Sequence, residues 1–380
     1  MSAPYHVVVV GSGSLARSVC CSVAGTGSGP LRVTVVARDE RSADELAYLA
    51  GSRARLSGTP VLFDAAGADT GGDALEELLA RTSPQLLVVC ASSQSPWERT
   101  RRPSGWTDLI AGAGFGLTLP LQAEIAVRAA RAVTDASPGT QVINACFPDS
   151  VNPLLRALGL PVLCGIGNAA LVAASLGHAL GVGPTPRLSV LAHHVHLHEP
   201  AEPAEEARAW LDGEPVTEVS RLLKRQRSTD REQLNLVTGH TAALLIASLA
   251  HGPALHTSVP GPHGLPGGYP VATDEGTLRL ALPPGITERD AIDWNQRVGA
   301  RDGVIVRDGR VSFTGPAMTA VAAHAPGLAK PFPATAIDEA RAELKAVRDR
   351  LRRRAARGDR EAPPSRPEEH PRPRLEEQWR

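Results

Sequence analysis

Gly11-Ser12-Gly13-Ser14-Leu15-Ala16 has the spacing GxGxxA. The first glycine permits a tight turn, the second lets another group approach the backbone, and the small Ala16 lets a helix pack close to a strand. A helix that starts at such a turn offers free N–H groups and partial positive charge, which suits a pyrophosphate. Gly11, Ser12, Gly13, Ser14 and Leu15 are therefore the first candidate ligand-binding residues. Histidine is the second concentration of chemistry. The chain has 12, and His193-His194-Val195-His196-Leu197-His198 crowds four into six positions. Read as a strand, it puts 194, 196 and 198 on one face, where imidazoles could move protons or meet a metal. The five cysteines (Cys20, Cys21, Cys90, Cys146 and Cys164) are scattered with no CxxC, and read as reduced thiols.

The elements around the glycines have the order such a turn needs. His6–Val10 is a β-branched run suited to a strand buried on both faces. Leu15 to Ala24 reads as a helix and Leu31–Ala37 as a second strand, which makes one β-α-β unit. The second strand ends Val36-Ala37-Arg38-Asp39. An acidic residue at that end would accept the ribose hydroxyls of NAD, whereas a small residue followed by Arg38 suits a 2′-phosphate. NADP is expected, with NAD possible.

Alternation continues through strands at 60–63, 85–90, 140–144 and 161–164, with helices between them. The fold class is α/β, a doubly wound parallel sheet. After Gly165 the pattern changes to helices at 169–180 and 231–250, a strand-like run at 187–198, and strand-like pieces over 266–313. This reads as a smaller α+β catalytic domain. Residues 1–165 form the first domain and 166–350 the second, and 351–380 is an Arg/Glu/Pro-rich tail expected to be disordered. Pro262–Val271, dense in Gly and Pro and carrying His263 and Tyr269, is a substrate loop or a rigid turn.

Composition narrows the function. Hydrophobic residues are 42% and charged residues 21%, as in ordinary globular chains. Lys+Arg and Asp+Glu are 40 each, so no bulk charge draws the chain to nucleic acid or to anionic membrane. No leader sequence is read at the N-terminus, and no apolar run reaches the roughly 18 residues of a membrane span. A cytoplasmic protein acting on a small molecule is expected.

From Cys90 to His194 the order of features resembles the lactate/malate dehydrogenase superfamily of NAD(P)-binding proteins, which includes the family 4 glycosidases. The resemblance implies a Rossmann domain followed by a catalytic domain. Ala91 and Ser92 in Cys90-Ala-Ser-Ser93 take the place of small residues under the nicotinamide ribose. The loop Gln94–Gly105, with Arg99, Arg101 and Arg102, matches a mobile substrate loop. Asn144, before Phe147-Pro148-Asp149, takes the place of the Asn that contacts ribose and substrate. His194 in Val190-Leu-Ala-His193-His194 falls on the catalytic His, the proton donor and acceptor while hydride moves. The resemblance also implies a homodimer or homotetramer.

Two departures stand out. The family's His-orienting Asp is replaced by Asn168, and the Arg that clamps a substrate carboxylate is replaced by Leu171. The expected activity is hydride transfer to or from the carbonyl or imine carbon of a small metabolite, in a specialised pathway. His194, Asn168 and Asn144 are the expected catalytic residues. Cys164 and His194 could mimic the metal ligands of family 4 glycosidases, but no metal is expected. A glycosidase-like hydrolase or lyase and a catalytically degenerate nucleotide sensor are the alternatives.

Overall fold

The computed structural model describes residues 4–69, 73–274 and 276–361. The first half alternates as read: β1 (Tyr5–Val10), α1 (Ser14–Thr26), β2 (Leu31–Ala37), α2 (Glu40–Ser57), β3 (Val61–Gly67), α3 (Asp73–Thr82) and β4 (Leu86–Val89). After β4 come α4 (Glu98–Arg101), α5 (Gly105–Ala113), α6 (Leu119–Ala136), β5 (Gln141–Asn144), α7 (Pro148–Ala157) and β6 (Cys164–Gly165). The six strands make a parallel sheet ordered β3-β2-β1-β4-β5-β6. Strand order reverses between β1 and β4, which opens a crevice at the carboxyl ends of those strands. Helices cover both faces, so Val7 through Val10 are all buried, and the apolar run shows no alternation for that reason.

The second half holds α8 (Asn168–Leu180), β7 (Leu188–Leu191), β8 (Arg208–Leu211), β9 (Glu214–Pro215), α9 (Val219–Ser228) and α10 (Arg231–Ala250). Then come β10 (Leu255–Pro260), β11 (Gly268–Asp274), β12 (Thr277–Leu280), α11 (Glu288–Gly299), β13 (Val304–Arg307) and β14 (Arg310–Phe313). The last elements are α12 (Gly315–His324), β15 (Phe332–Pro333) and α13 (Ile337–Glu361). Three small antiparallel sheets result, β7-β8-β9, β10-β11-β12 and β13-β14-β15. Ile337, Ala340, Leu344, Val347 and Leu351 of α13 are buried in one cluster with Trp106 of α5 and Leu121, Ala129 and Val133 of α6. The last helix thus closes onto the first sheet's layer.

Several local readings are corrected. The run 187–198 is a strand only to Leu191. His194–Leu197 is a 3-10 turn. The His193 N–H donates to His196 Nδ1 at 2.7 Å, a local bond that replaces ladder pairing. Positions 194, 196 and 198 therefore do not share a strand face. The stretch 266–313 is not all strand and turn, because it contains α11. Its start is a capping box between Thr287 and Asp290, a signal present in the sequence. The sixth strand is two residues long, not the four read at 161–164. The tail boundary at 351 falls inside α13, and residues 362–380 lie outside the described residues. Among the described residues α10 alone is long and apolar enough to cross a membrane by length and composition. Half of that stretch is buried, and the helix packs along α1.

Candidate active site

Gly11 has φ +119°, and a Cβ there would lie 3.1 Å from the Cys90 carbonyl carbon and oxygen. Only glycine lets the chain leaving β4 pass this close. Gly13 differs. A Cβ built on it meets nothing within 4 Å, so the turn faces open space. Gly13 precedes α1 and no side chain caps the helix. The Ser14 hydroxyl accepts from Asn235 Nδ2 at 3.1 Å, while Ser12 and Leu15 are half-buried beside it and Ala16 is fully buried. An open cradle and uncapped helix N–H groups fit a dinucleotide pyrophosphate. At the end of β2, Arg38 is exposed. Asp39 accepts from the Ser42 hydroxyl at 2.5 Å, a bond that holds its carboxyl below the usual range.

Ala91 and Ser92 are half-buried where β4 ends, and the Ser92 hydroxyl donates to the Gln94 carbonyl at 2.7 Å. Asn144 is fully buried at the end of β5. Its amide donates to the Cys146 carbonyl (3.1 Å) and Asn152 Oδ1 (2.9 Å), and its oxygen accepts the Cys146 N–H (2.9 Å). Both amide donors are used inside the protein and the oxygen accepts one bond there, so the side chain shapes the turn after β5 and has no free N–H to present.

That turn carries the imidazole. Phe147 is left-handed (φ 47°), which costs a bulky residue about 1–3 kcal/mol and is sustained by its surroundings. Its ring meets His194 edge-on at 5.4 Å, and Phe115 stacks on the same imidazole at 4.8 Å. Asp149, at the start of α7, accepts the His194 backbone N–H at 3.0 Å. His194 thus lies at the carboxyl end of the sheet. Its Nδ1–H donates to Asp302 Oδ2 at 2.8 Å, which leaves Nε2 as the nitrogen for exchange. Side-chain exposure is 16% for His194 and 6% for Asp302. Burial opposes the imidazolium, but the Asp302 charge and hydrogen bond, with help from Asp149, outweigh it and raise the His194 pKa. Burial alone would raise the Asp302 pKa. The charge and hydrogen bond of His194 pull it below the ordinary carboxylate value instead.

Asn168 does not reach the imidazole. Its amide donates to Asp149 Oδ2 at 3.4 Å, so the expected orienting role falls to Asp302, between α11 and β13. Sequence spacing could not reveal a partner 108 residues away. A weak trace lies in the glycines that admit it: a Cβ on Gly116 would sit 2.5 Å from the Asp302 carbonyl oxygen. The neighbouring His196 is committed to packing and internal bonds. His196 accepts from His193 N–H, donates to the Glu205 carbonyl at 2.8 Å and stacks on Trp294. Burial lowers its pKa to about 4.

The segment 94–105 is pinned. Gln94 is buried, accepts from Trp106 Nε1 at 2.9 Å and donates to Glu98 at 2.8 Å. Arg352 of α13 holds Glu98 through two bonds of 2.7 and 2.6 Å. Arg101 pairs with Glu232 at 2.7 Å, whereas Arg99 and Arg102 are exposed. Leu171 and Cys164 are buried, and burial pushes the Cys164 thiol far up. Among the described residues no three His, Cys, Asp or Glu side chains gather as metal ligands. Pro262–Val271 is a turn into β11 with Tyr269 fully buried, not an open loop.

The fold defined by this sheet, crevice and histidine turn is that of the lactate and malate dehydrogenases, in divergent form. A malate dehydrogenase from Picrophilus torridus matches with a TM-score of 0.54 and 14% identity, covering 78% of this chain and 95% of its own. A lactate dehydrogenase from Eimeria maxima, solved with NADH and oxamate, matches with a TM-score of 0.53 and 14% identity, covering 79% and 92%. A malate dehydrogenase from Salinibacter ruber follows at 0.51 and 13%, covering 78% and 95%. No family model and no curated protein sequence matches the chain. At these identities the likeness speaks for the fold alone.

Proposed function

We propose that the protein is an NAD(P)-dependent oxidoreductase acting on a carbonyl or imine carbon of a small metabolite. The reading is supported by the Asp302–His194 pair, which Asp149 holds at the start of α7, just past the carboxyl end of β5 and on the same end of the sheet as the crevice between β1 and β4. The nicotinamide, when bound, supplies or accepts the hydride. Backbone N–H groups at Gly13–Leu15 bind the pyrophosphate, and Ala91 and Ser92 leave room for the ribose. His194 Nε2 gives a proton to the carbonyl oxygen or imine nitrogen during reduction and takes it back during oxidation. Asp302 fixes the tautomer and favours the imidazolium. Asn168 supports Asp149 and so the backbone of His194. Phe115 and Phe147 wall the imidazole from water.

Arg38, exposed and with no ion pair among the described residues, supports NADP over NAD. The enzyme would work in the cytoplasm as a homodimer or homotetramer, with neither nucleic acid nor membrane as partner. Titrating the purified protein with NADPH and NADH, read by nicotinamide fluorescence, tests the reading. Sub-millimolar binding of at least one is expected, and binding of neither overturns it. Tighter binding of NADH overturns only the role of Arg38.

A further inference from the structure

Leu171 occupies the position where the resemblance expects a carboxylate-binding Arg, so the site needs another cation if its substrate is anionic. Most arginines near the histidine turn are committed. Arg227 is buried against Glu206 at 2.7 Å, Arg301 pairs with Glu205 at 2.5 Å, Arg101 with Glu232, and Arg352 with Glu98. Arg231, the first residue of α10, has no carboxylate within salt-bridge distance among the described residues. Its Nη2 instead donates to His198 Nε2 at 2.6 Å and approaches the Leu197 carbonyl at 3.5 Å. Both acceptors follow His194 in the same turn. The neighbouring Asp230 is occupied in capping α10.

Arg231 also faces the right way. Asn235 lies one helical turn further on and so on the same face of α10. It touches Ser14 in the glycine turn, while Arg231 touches the histidine turn. One face of α10 therefore spans the two halves of the site. Burial lowers the Arg231 pKa and the Asp302 charge opposes this, while Arg231 adds to the burial that disfavours protonation of His198 and works against that of His194. A half-buried guanidinium whose only partners among the described residues are a neutral imidazole and a carbonyl keeps part of its donor fork free for an anion.

We propose that Arg231 binds an anionic group of the substrate, a carboxylate in the first instance, and so replaces the missing clamp from α10 instead of α8. The proposal rests on the oxidoreductase reading. The bound anion lies between the glycine turn and His198, so the substrate approaches His194 with its charge toward α10.

The test uses the full chain saturated with NADH or NADPH. Three carboxylates of different size (oxamate, malonate and phenylacetate) and their neutral amides are titrated in turn, with binding read by nicotinamide fluorescence or calorimetry. The wild type is expected to bind at least one carboxylate 10-fold or more tighter than its amide. Arg231→Gln should remove that preference, a loss of roughly 10- to 100-fold for a charge-assisted bond, with nucleotide affinity unchanged. Arg231→Lys should retain part of it, and it serves as the informative variant if the glutamine form does not fold. No preference in the wild type, or an unchanged preference in both variants, overturns the role of Arg231 and leaves the cofactor reading standing. If neither nucleotide binds the wild type, both readings are overturned.

Discussion

At the residue scale the defining feature is a histidine whose protonation is favoured by a carboxylate from a distant loop. The folded pKa of His194 is raised, so the pair's contribution through His194 is fully present below the ordinary value of about 6.5 and is lost as pH rises through the raised value. Asp302 is depressed, so its contribution holds above the ordinary carboxylate value and is lost as pH falls through the lowered one. Carbonyl reduction needs the imidazolium. Its kcat/KM is expected to stay level on the acid side and fall as pH rises through the His194 pKa. Asp302→Asn keeps a hydrogen-bond acceptor but removes the charge. The fall should move to lower pH and the rate should drop by about 10-fold or more, which a pH–rate profile with fluorescence-verified cofactor binding will show. An unmoved profile would contradict the pairing. His194 was legible in the sequence as a candidate, because its segment Val190-Leu-Ala-His193-His194 resembles one that carries a catalytic His. Asp302 was not, because Ala300-Arg-Asp-Gly303 carries nothing that distinguishes it from an ordinary turn.

At the element scale the glycine turn is open and the segment 94–105 is held in place. Gly13 and Gly11 separate binding from folding. Gly13→Ala adds a Cβ that meets nothing within 4 Å, so the melting temperature should change little while nucleotide affinity falls at least 10-fold. Gly11→Ala forces a Cβ into a strained φ and against the Cys90 carbonyl, so it should destabilise by about 1–3 kcal/mol in denaturant titration. The segment 94–105 reads in sequence as a polar, Arg-containing loop, and its mobility is implied only by the resemblance. In the structure Glu98 and Gln94 are buried among Trp106, Gln122 and Arg352, which turns a polar stretch into a held one. Arg352→Ala leaves the Glu98 carboxylate without its cation. Limited proteolysis should then cut within 98–105 faster than in the wild type, and equal cutting rates would show that the contact does not hold the segment.

At the scale of the whole molecule the last helix joins layers that lie far apart in sequence. Leu344 is 1% exposed in the cluster that contains Trp106 and Leu121. Leu344→Ala should cost about 2–5 kcal/mol, read as a lower denaturant midpoint. A change below 0.5 kcal/mol would mean that α13 contributes little to the fold, by the same scale of core truncations.

The sequence by itself determined the glycine turn, the parallel sheet and the helices that flank it. Those features are written in local periods, caps and breaks, where each residue's neighbours along the chain are also its neighbours in space. Only the tertiary structure decided which carboxylate meets His194, that Arg231 beside the histidine turn has no carboxylate partner among the described residues, and which polar residues pin the segment 94–105. Those choices depend on burial and on charges brought together across more than a hundred residues. Hydrogen-bond and charge complementarity of that kind has no period along the chain, so it appears only when the packed layers fix the distances.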